Sequence, residues 1–300
     1  MDMTQNKCCR HGASLRRRRR RRRKILRSII FSCSIIAVAV FVAVGSRMIT
    51  SGDGGTNKYD VEAGNNTYDN AVIENSKISG KNKIQNNQSM LDDIMNSTQY
   101  PKQLKDLALK NEEALEFVYD YPAEHVKEHT IDLTEEASMD SVPLFVQWDK
   151  RWGYEKYSGN FFAASGCGPT TLSMVVVYLT HNRDASPIAV AKYSKEAGYS
   201  VDGSGSSWTL ISEGCMHYGV KAKAVALDES RMKAELDEGH PIVVNVGPGD
   251  FTDTGHFMVI TGYDDEGFSI NDPNSIEKSG KRWLFRNISS QIRAVWSMYV

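Results

Sequence analysis

Residues 29–45 are seventeen consecutive residues without a charge, most of them apolar, and a strongly basic segment comes just before them. That segment contains eight consecutive arginines, Arg16–Arg23, followed by Lys24. An apolar stretch of this length is near the lower limit for a helix that spans the hydrocarbon of a bilayer. Because basic residues at one flank are retained on the cytoplasmic side, the sequence predicts a cytoplasmic basic tail over residues 1–28, a transmembrane signal-anchor over residues 29–45 and an exported remainder.

The same N-terminal pattern has two alternative interpretations. A cleaved signal peptide also has a basic start and a short apolar core, and Ala43 and Gly45 are small residues at suitable positions for cleavage. The basic segment is unusually long for a simple signal, so we favour the uncleaved anchor. A buried core helix is the second alternative, and the flanking arginines argue against it. With either an anchor or a cleaved signal, the rest of the chain is exported.

The formal net charge of −1 results from a cancellation between two parts of the chain. Twelve of the 36 basic residues precede residue 46, whereas one of the 37 acidic residues does. Residues 46–300 therefore carry a net charge of about −12. Binding to nucleic acid requires a basic face, which this composition does not provide. We therefore expect a membrane contact through the N-terminal helix and no nucleic acid partner.

Residues 46–88 are rich in Gly, Asn, Ser, Asp and Lys and poor in large apolar side chains, which predicts a flexible linker. Over residues 89–140 apolar residues recur at helical spacing, which predicts a preface of short amphipathic helices. Pro101 separates the first helix from the second, and Pro122 ends the last one. Since so few turns make a poor core on their own, we expect this helical preface to pack on a main domain over residues 141–300.

Cys167 lies in the motif SGCGPT at residues 165–170, and an apolar run at helical spacing follows the motif. Pro169 suits a first helical turn, where its missing N–H costs no hydrogen bond, and Gly168 allows a close approach of the backbone to a substrate. The motif therefore predicts that Cys167 lies at the positive end of a helix, where the dipole lowers the thiol pKa. A small buried apolar role is the alternative, but it does not require the flanking glycines and proline. With Cys215 as the other cysteine after residue 45, we expect free thiols rather than a disulfide framework.

His256 is the candidate base for this thiol among the seven histidines of the chain. It begins the apolar segment 256–263, which is typical of a buried strand. A polar ring in such a strand is costly unless it has a hydrogen-bonding partner, which indicates a functional role. An acidic turn follows, and residues 268–271 return as the antiparallel neighbour, so the hairpin brings Asp272 to the same end of the strand pair. There Asp272 would orient the imidazole and stabilise its protonated form. An ordinary turn former before Pro273 is the alternative, and the sequence leaves the register of the hairpin open.

Two donors are candidates for binding the negative charge that develops on a carbonyl oxygen during acyl transfer. One is the backbone N–H of Cys167, and the other is the side-chain amide of Gln147. A strand cap on the surface is the alternative role for Gln147, and its spacing does not decide between the two.

The remaining signals concern the fold class and the absence of ligand motifs. Ser186 and Asp228 each begin a predicted helix, and residues 241–246 form a predicted buried strand. Helices followed by antiparallel strands indicate an α+β fold. Neither His-Glu-x-x-His nor Cys-x-x-Cys occurs in the sequence, so we expect no metal and no cofactor.

Residues 142–296, about half of the chain, resemble the bacterial cysteine peptidases related to the bacteriocin leader (double-glycine) peptidases. The resemblance is carried by five motifs in the same order: PLFVQWDKRWGYEKY, SGCGPTTLSMV, GSGSSWTLISEG, GDFTDTGHFMVITGY and NDPNS. The preceding segment, YPKQLKDLALKNEEALEFVYDYP, resembles one often found ahead of such domains in Gram-positive bacteria. The resemblance implies a papain-like fold in which a helical half carries the nucleophile and an antiparallel sheet carries the histidine and aspartate. It also implies four site residues: Cys167 as nucleophile, His256 as general base and then acid, Asp272 as orienting group and Gln147 as oxyanion donor.

The function predicted from these features is that of a membrane-tethered extracellular cysteine peptidase acting through a Cys-His-Asp triad and a thioacyl-enzyme. The leader peptidases are typically fused to an exporter and face the cytoplasm, whereas this domain is expected to face outward, so removal of a leader peptide is not implied. Two other functions remain open. The same triad suits a cell-wall peptide amidohydrolase or acyltransferase, and the fold suits a non-catalytic peptide-binding module.

Overall fold

The computed structural model describes residues 83–300, all of which belong to one unit of the chain. The predicted tail, the predicted signal-anchor and most of the predicted linker therefore lie outside the described residues. Between residues 83 and 300 no helix is both long and apolar enough to cross a bilayer.

Short helices make up the first part of the described chain. They are α1 over residues 83–96, α2 at Lys102–Lys110, α3 at Leu115–Tyr119, α4 at Tyr121–Glu124 and α5 at Thr134–Ser138, with a 3-10 turn at Glu112–Ala114 between α2 and α3. Pro101 separates α1 from α2 as the sequence predicts. Pro122 lies in the first turn of α4, a position that proline tolerates, so it does not end the preface.

Residues 83–88 correct the predicted end of the linker, because they are helical. Their composition is polar, but two side-chain contacts support this first part of α1. Gln88 Nε2 donates to Asp92 Oδ1 at 2.8 Å, one helical turn away, and Asn87 Nδ2 donates to Glu112 Oε1 at 2.7 Å. Composition alone does not reveal the second contact, since the two residues are far apart along the chain.

The preface helices pack on the domain that follows, as expected. Ile94 and Leu104 are fully buried in a cluster that also contains Phe161 and Ala163 of the main domain. The rings of Phe117 and Tyr154 stack across the same boundary at a centroid distance of 4.2 Å. The preface thus shares a hydrophobic core with the segment that leads to Cys167.

A six-stranded antiparallel sheet forms the second half of the domain, in the order β5-β10-β6-β7-β8-β9. Its strands are β5 at Lys221–Ala224, β6 at Ile242–Val246, β7 at His256–Asp264, β8 at Gly267–Asn271, β9 at Arg282–Trp283 and β10 at Ile292–Tyr299. Two small hairpins pair β1 at Lys156–Tyr157 with β2 at Asn160–Phe161, and β3 at Ser200–Val201 with β4 at Gly205–Ser206.

The central strands of the sheet contribute apolar side chains to a core on each face. Every residue of β6 is buried. Val243 and Val259 contribute to the core on the side of α7, the helix that begins at Cys167, whereas Val244 and Met258 contribute to a second core. This explains why β6 and the first half of β7 read as continuous apolar runs rather than as alternating patterns.

The helices of the main domain complete the α+β fold that the sequence predicts. They are α6 at Phe162–Ser165, α7 at Cys167–Thr180, α8 at Pro187–Glu196, α9 at Thr209–Ser212, α10 at Glu229–Asp237, α11 at Ile276–Ser279 and α12 at Phe285–Ile288, with 3-10 turns at Gly214–Tyr218 and Ser289–Gln291. Ser186 and Asp228 cap α8 and α10 through their side chains, as predicted.

Candidate active site

Cys167 is the first residue of α7, as the SGCGPT motif predicts, and its side chain is half-buried. The helix is buried from Gly168 to Val177, so its axis is held within the core. Thr171 in the first turn donates its hydroxyl to the carbonyl oxygen of Phe257 at 3.1 Å, which ties the start of the helix to strand β7. The sulfur therefore lies at a rigid helix N-terminus, where the backbone dipole favours an anion.

Gly168 serves a different purpose from the one its sequence position suggests. A Cβ atom there would lie 2.6 Å from Ser206 Oγ and 2.8 Å from Ser206 Cβ. The missing side chain makes room for strand β4 rather than for a substrate. Ser206 is itself held by the hydroxyl of Tyr157, 2.6 Å away.

The hairpin brings His256 and Asp272 together. His256 begins β7, Asp272 directly follows β8, and His256 Nε2 lies 2.7 Å from Asp272 Oδ1. The two-residue turn after Asp264 and a bulge around Thr261 set the register that the sequence leaves open. Both side chains are buried, with His256 exposed by 6% and Asp272 by 0%.

His256 also acts on the thiol of Cys167. The side chain of His256 and the backbone N–H groups of Phe257 and Gly168 stabilise the thiolate, and all three lower the pKa of the Cys167 thiol. Because Nε2 is occupied by Asp272, Nδ1 is the ring nitrogen left to interact with Cys167. The structure thus places a carboxylate in contact with an imidazole whose charge acts on a thiol at the start of a helix.

The contacts of the two groups shift both pKa values in the directions that an ion pair requires. Burial raises the pKa of the Cys167 thiol, but the hydrogen bond and charge of His256 outweigh it and bring the thiol pKa below its usual value. Burial lowers the pKa of His256, but the nearby Asp272 carboxylate outweighs it and raises the pKa of His256 to about 10. A thiolate–imidazolium pair is therefore favoured at pH values between the lowered pKa of Cys167 and the raised pKa of His256.

The turn after β8 is built around the Asp272 carboxylate. Oδ1 accepts a second hydrogen bond from the backbone N–H of Asn274 at 2.8 Å, and the backbone N–H of Asp272 donates to Ser279 Oγ at 2.9 Å. Within residues 83–300, Asp272 Oδ2 is buried without a hydrogen-bond partner. A buried carboxylate left partly unsatisfied is costly unless a positive group lies beside it, which is the condition that an imidazolium meets.

Gln147 is buried beside this turn, with 5% exposure, so it does not cap a strand on the surface. Its backbone N–H donates to Pro273 O at 2.7 Å, and its side-chain Nε2 donates to Ala163 O at 2.7 Å. Ala163 belongs to the short helix α6, which ends two residues before Cys167. Gln147 therefore connects the Asp272 turn to the segment that leads to Cys167.

Two polar residues near the site were not identified from the sequence. Asn111 and Glu113 of the preface contact Asn274, Ile276 and Glu277, which follow Asp272 in the turn after β8. No local motif marks them, since their partners lie more than 160 residues away along the chain. Within residues 83–300 there is no group of three acidic, histidine or cysteine side chains that could hold a metal ion.

Residues 139–300 match the model of a protein family described as Peptidase_C39 like. The matched segment is more than half of the chain. The chain belongs to the peptidase C39-like family. This C39-like protein is accordingly a cysteine-type peptidase, a hydrolase, and the resemblance stated from its sequence motifs is confirmed. The match begins directly after α5, so the preface lies outside it.

Two solved structures are similar to this C39-like chain. One is the peptidase domain of Streptococcus ComA, a bi-functional ABC transporter involved in quorum sensing, with 19% identity, 53% of this chain and 96% of that chain covered, and a TM-score of 0.39. The other is named as a C39-like peptidase from Bacillus anthracis, with 16% identity, 53% and 95% coverage, and a TM-score of 0.34. At these TM-scores we draw nothing further from them. No curated protein matches the chain.

Proposed function

We propose that this protein hydrolyses peptide bonds through a thioacyl-enzyme, with Cys167 as nucleophile, His256 as general base and acid, Asp272 as orienting group and Gln147 as oxyanion donor. The observation that supports this most directly is the buried hydrogen bond between Asp272 and His256, together with the lowering of the Cys167 thiol pKa by His256 at the start of a helix. A packing cysteine has no need of a buried histidine–carboxylate pair beside it.

In the first half of the proposed reaction, the Cys167 thiolate attacks the carbonyl carbon of the peptide bond and a C–S bond forms. The carbonyl oxygen becomes an oxyanion, which accepts hydrogen bonds from the backbone N–H of Cys167 and from the second Nε2 hydrogen of Gln147. The His256 imidazolium then gives its proton to the departing amine as the C–N bond breaks. The products of this half are a free amine and a thioester on Cys167.

In the second half, a water molecule enters the position that the amine has left. His256, now neutral, takes one proton from the water, and the hydroxide attacks the thioester carbon. The C–S bond breaks, the carboxylic acid product leaves, and the thiolate–imidazolium pair is restored. Asp272 keeps Nε2 of the ring engaged in both halves, so that Nδ1 faces the sulfur.

We further propose that the peptidase domain acts outside the cell, tethered by residues 29–45 and carried on the linker at residues 46–88. The support is in the sequence: seventeen uncharged residues follow a run of eight arginines. Protease treatment of intact cells should then release the domain into the medium. Protection of the domain in intact cells would contradict this topology.

The experiment that tests the activity uses the full chain, a peptide library and, separately, purified cell-wall material. We expect the protein to cleave library peptides, and Cys167→Ala to abolish cleavage, because Cys167 is the thiol whose pKa His256 lowers. Cys215→Ala is the matched control and should retain activity. Cleavage of wall peptides alone would favour the amidohydrolase alternative, and binding without cleavage of either substrate would contradict the proposal.

A further inference from the structure

The preface contacts the turn that carries Asp272 through two polar side chains. The Glu113 carboxylate accepts hydrogen bonds from the hydroxyl of Ser275, from Ile276 N at 2.7 Å and from Glu277 N at 3.1 Å. Asn111 Nδ2 donates to the backbone oxygen of Asn274 at 2.9 Å and to its side-chain oxygen at 3.1 Å.

The same turn also contacts Asp272. Asn274 N donates to Asp272 Oδ1 at 2.8 Å, and Ser275 N donates to Asp272 O at 3.2 Å. Between them, Pro273 O accepts from the backbone N–H of Gln147 at 2.7 Å. A displacement of this turn would therefore move the carboxylate that orients His256.

Glu113 is itself held in place by the preface. It lies in the 3-10 turn at Glu112–Ala114, which Asn111 caps by accepting from Glu113 N at 3.0 Å. The next two residues, Ala114 and Leu115, are buried in the core that the preface shares with the main domain. A charged acceptor fixed in this way specifies the position of its three donors more precisely than a flexible side chain would.

We propose that Glu113 and Asn111 are positioning residues for the peptidase reaction, so that the preface is part of the catalytic unit although the family match begins at residue 139. This inference rests on the proposed function. Glu113 and Asn111 fix the turn at residues 272–276, and the turn holds Asp272 against His256. Without them, Asp272 samples positions in which it no longer holds the ring toward Cys167.

The test compares Glu113→Gln and Glu113→Ala in the full chain with Glu112→Gln as the matched control. Glu112 is the exposed neighbour, and its carboxylate accepts a hydrogen bond from Asn87 of α1. We expect Glu113→Ala to lower kcat about tenfold to a hundredfold with little change in KM, because small misplacements of catalytic groups have effects of this size. Glu113→Gln should lie between Glu113→Ala and the unmodified protein, and Glu112→Gln should match the unmodified protein.

A second readout does not depend on knowing the substrate. The rate at which iodoacetamide alkylates Cys167, followed against pH by peptide mass spectrometry, reports the thiolate–imidazolium pair directly. In Glu113→Ala we expect this profile to shift toward the profile of Asp272→Ala. In the Asp272→Ala background, Glu113→Ala should cause no further loss of kcat, since Glu113 acts through Asp272.

The outcomes separate the inference from the proposed function. A folded Glu113→Ala protein with unchanged kcat and an unchanged alkylation profile would overturn the inference while leaving the peptidase intact. A further loss in the double variant would show that Glu113 does not act through Asp272, and would also overturn it. If Glu113→Ala fails to fold, Glu113→Gln and Asn111→Ala are judged by the same two readouts. Absence of cleavage by the unmodified protein would refute the proposed function, and the alkylation profiles would still decide the inference.

Discussion

Cys167 and Cys215 are the same side chain in two different regions of one domain, and the contrast shows how placement determines reactivity. Cys167 is half-buried at the start of α7, beside His256 and two backbone N–H groups, and its thiol pKa is lowered. Cys215 is fully buried in the core beneath α7, and burial raises its pKa to about 11. Burial acts on both thiols in the same direction, so the difference comes from the imidazole and the backbone donors.

The largest expected effect comes from weakening the ion pair at Cys167 without touching either thiol. Asp272→Asn keeps the shape of the side chain but removes the charge that stabilises the imidazolium. We expect kcat/KM to fall about 10³- to 10⁴-fold, as for the comparable carboxylate of serine peptidase triads. Steady-state peptide cleavage measures this loss. An effect below about tenfold would mean that the carboxylate does not set the state of the thiol.

The next effect concerns Gln147, which connects the Asp272 turn to the segment that leads to Cys167. Gln147→Ala removes the proposed donor for the oxyanion, and a loss of one such donor costs about 10²- to 10³-fold in kcat. Alkylation of Cys167 by iodoacetamide should remain close to normal, because that reaction forms no oxyanion. A parallel loss in both assays would show instead that Gln147 supports the fold of the site.

The pH dependence of alkylation tests the contrast between the two thiols directly. The folded pKa of Cys167 is lowered and that of His256 is raised to about 10, so the ion pair forms as pH rises through the thiol pKa and is lost above about pH 10. Alkylation of Cys167 should therefore begin below the ordinary thiol pKa of about 8.5, whereas Cys215 should react only when the protein unfolds. Equal rates for the two thiols at neutral pH would contradict this comparison.

The smallest effect is on the inert thiol, and it should appear in stability rather than in activity. Cys215→Ser places a hydroxyl in an apolar core, and we expect the free energy of unfolding to fall by about 1–3 kcal/mol. Urea denaturation measures this change. The specific activity of the folded fraction should be unchanged, and a large loss of activity would mean that the two regions are coupled.

Much of the site follows from local signals in the sequence. The SGCGPT motif predicts the start of α7 at Cys167, because glycine and proline have strong and local backbone preferences. The apolar strand after His256 and the acidic turn predict the hairpin that ends at Asp272. These elements could be predicted since each depends on residues close together along the chain.

Other parts of the site depend on packing and were predicted incompletely or not at all. The bulge around Thr261 sets the register that brings His256 and Asp272 into contact, and no residue pattern in the sequence predicts it. The motif alone suggests that Gly168 allows a substrate to approach the backbone, whereas in the structure the missing side chain makes room for Ser206. Residues 83–88 are helical in spite of a composition typical of a linker, and Asn87 among them contacts Glu112 in a distant part of the preface.

The sequence by itself determined the α+β fold class and singled out the candidate thiol, base and carboxylate, because short-range backbone preferences and apolar periodicity carry that information. Only the tertiary structure decided that Gln147 is buried between the Asp272 turn and the segment before Cys167, and that Glu113 reaches the same turn from the preface. The physical reason is that these contacts join segments far apart in the chain, and their geometry is set by the shared core that brings the segments together.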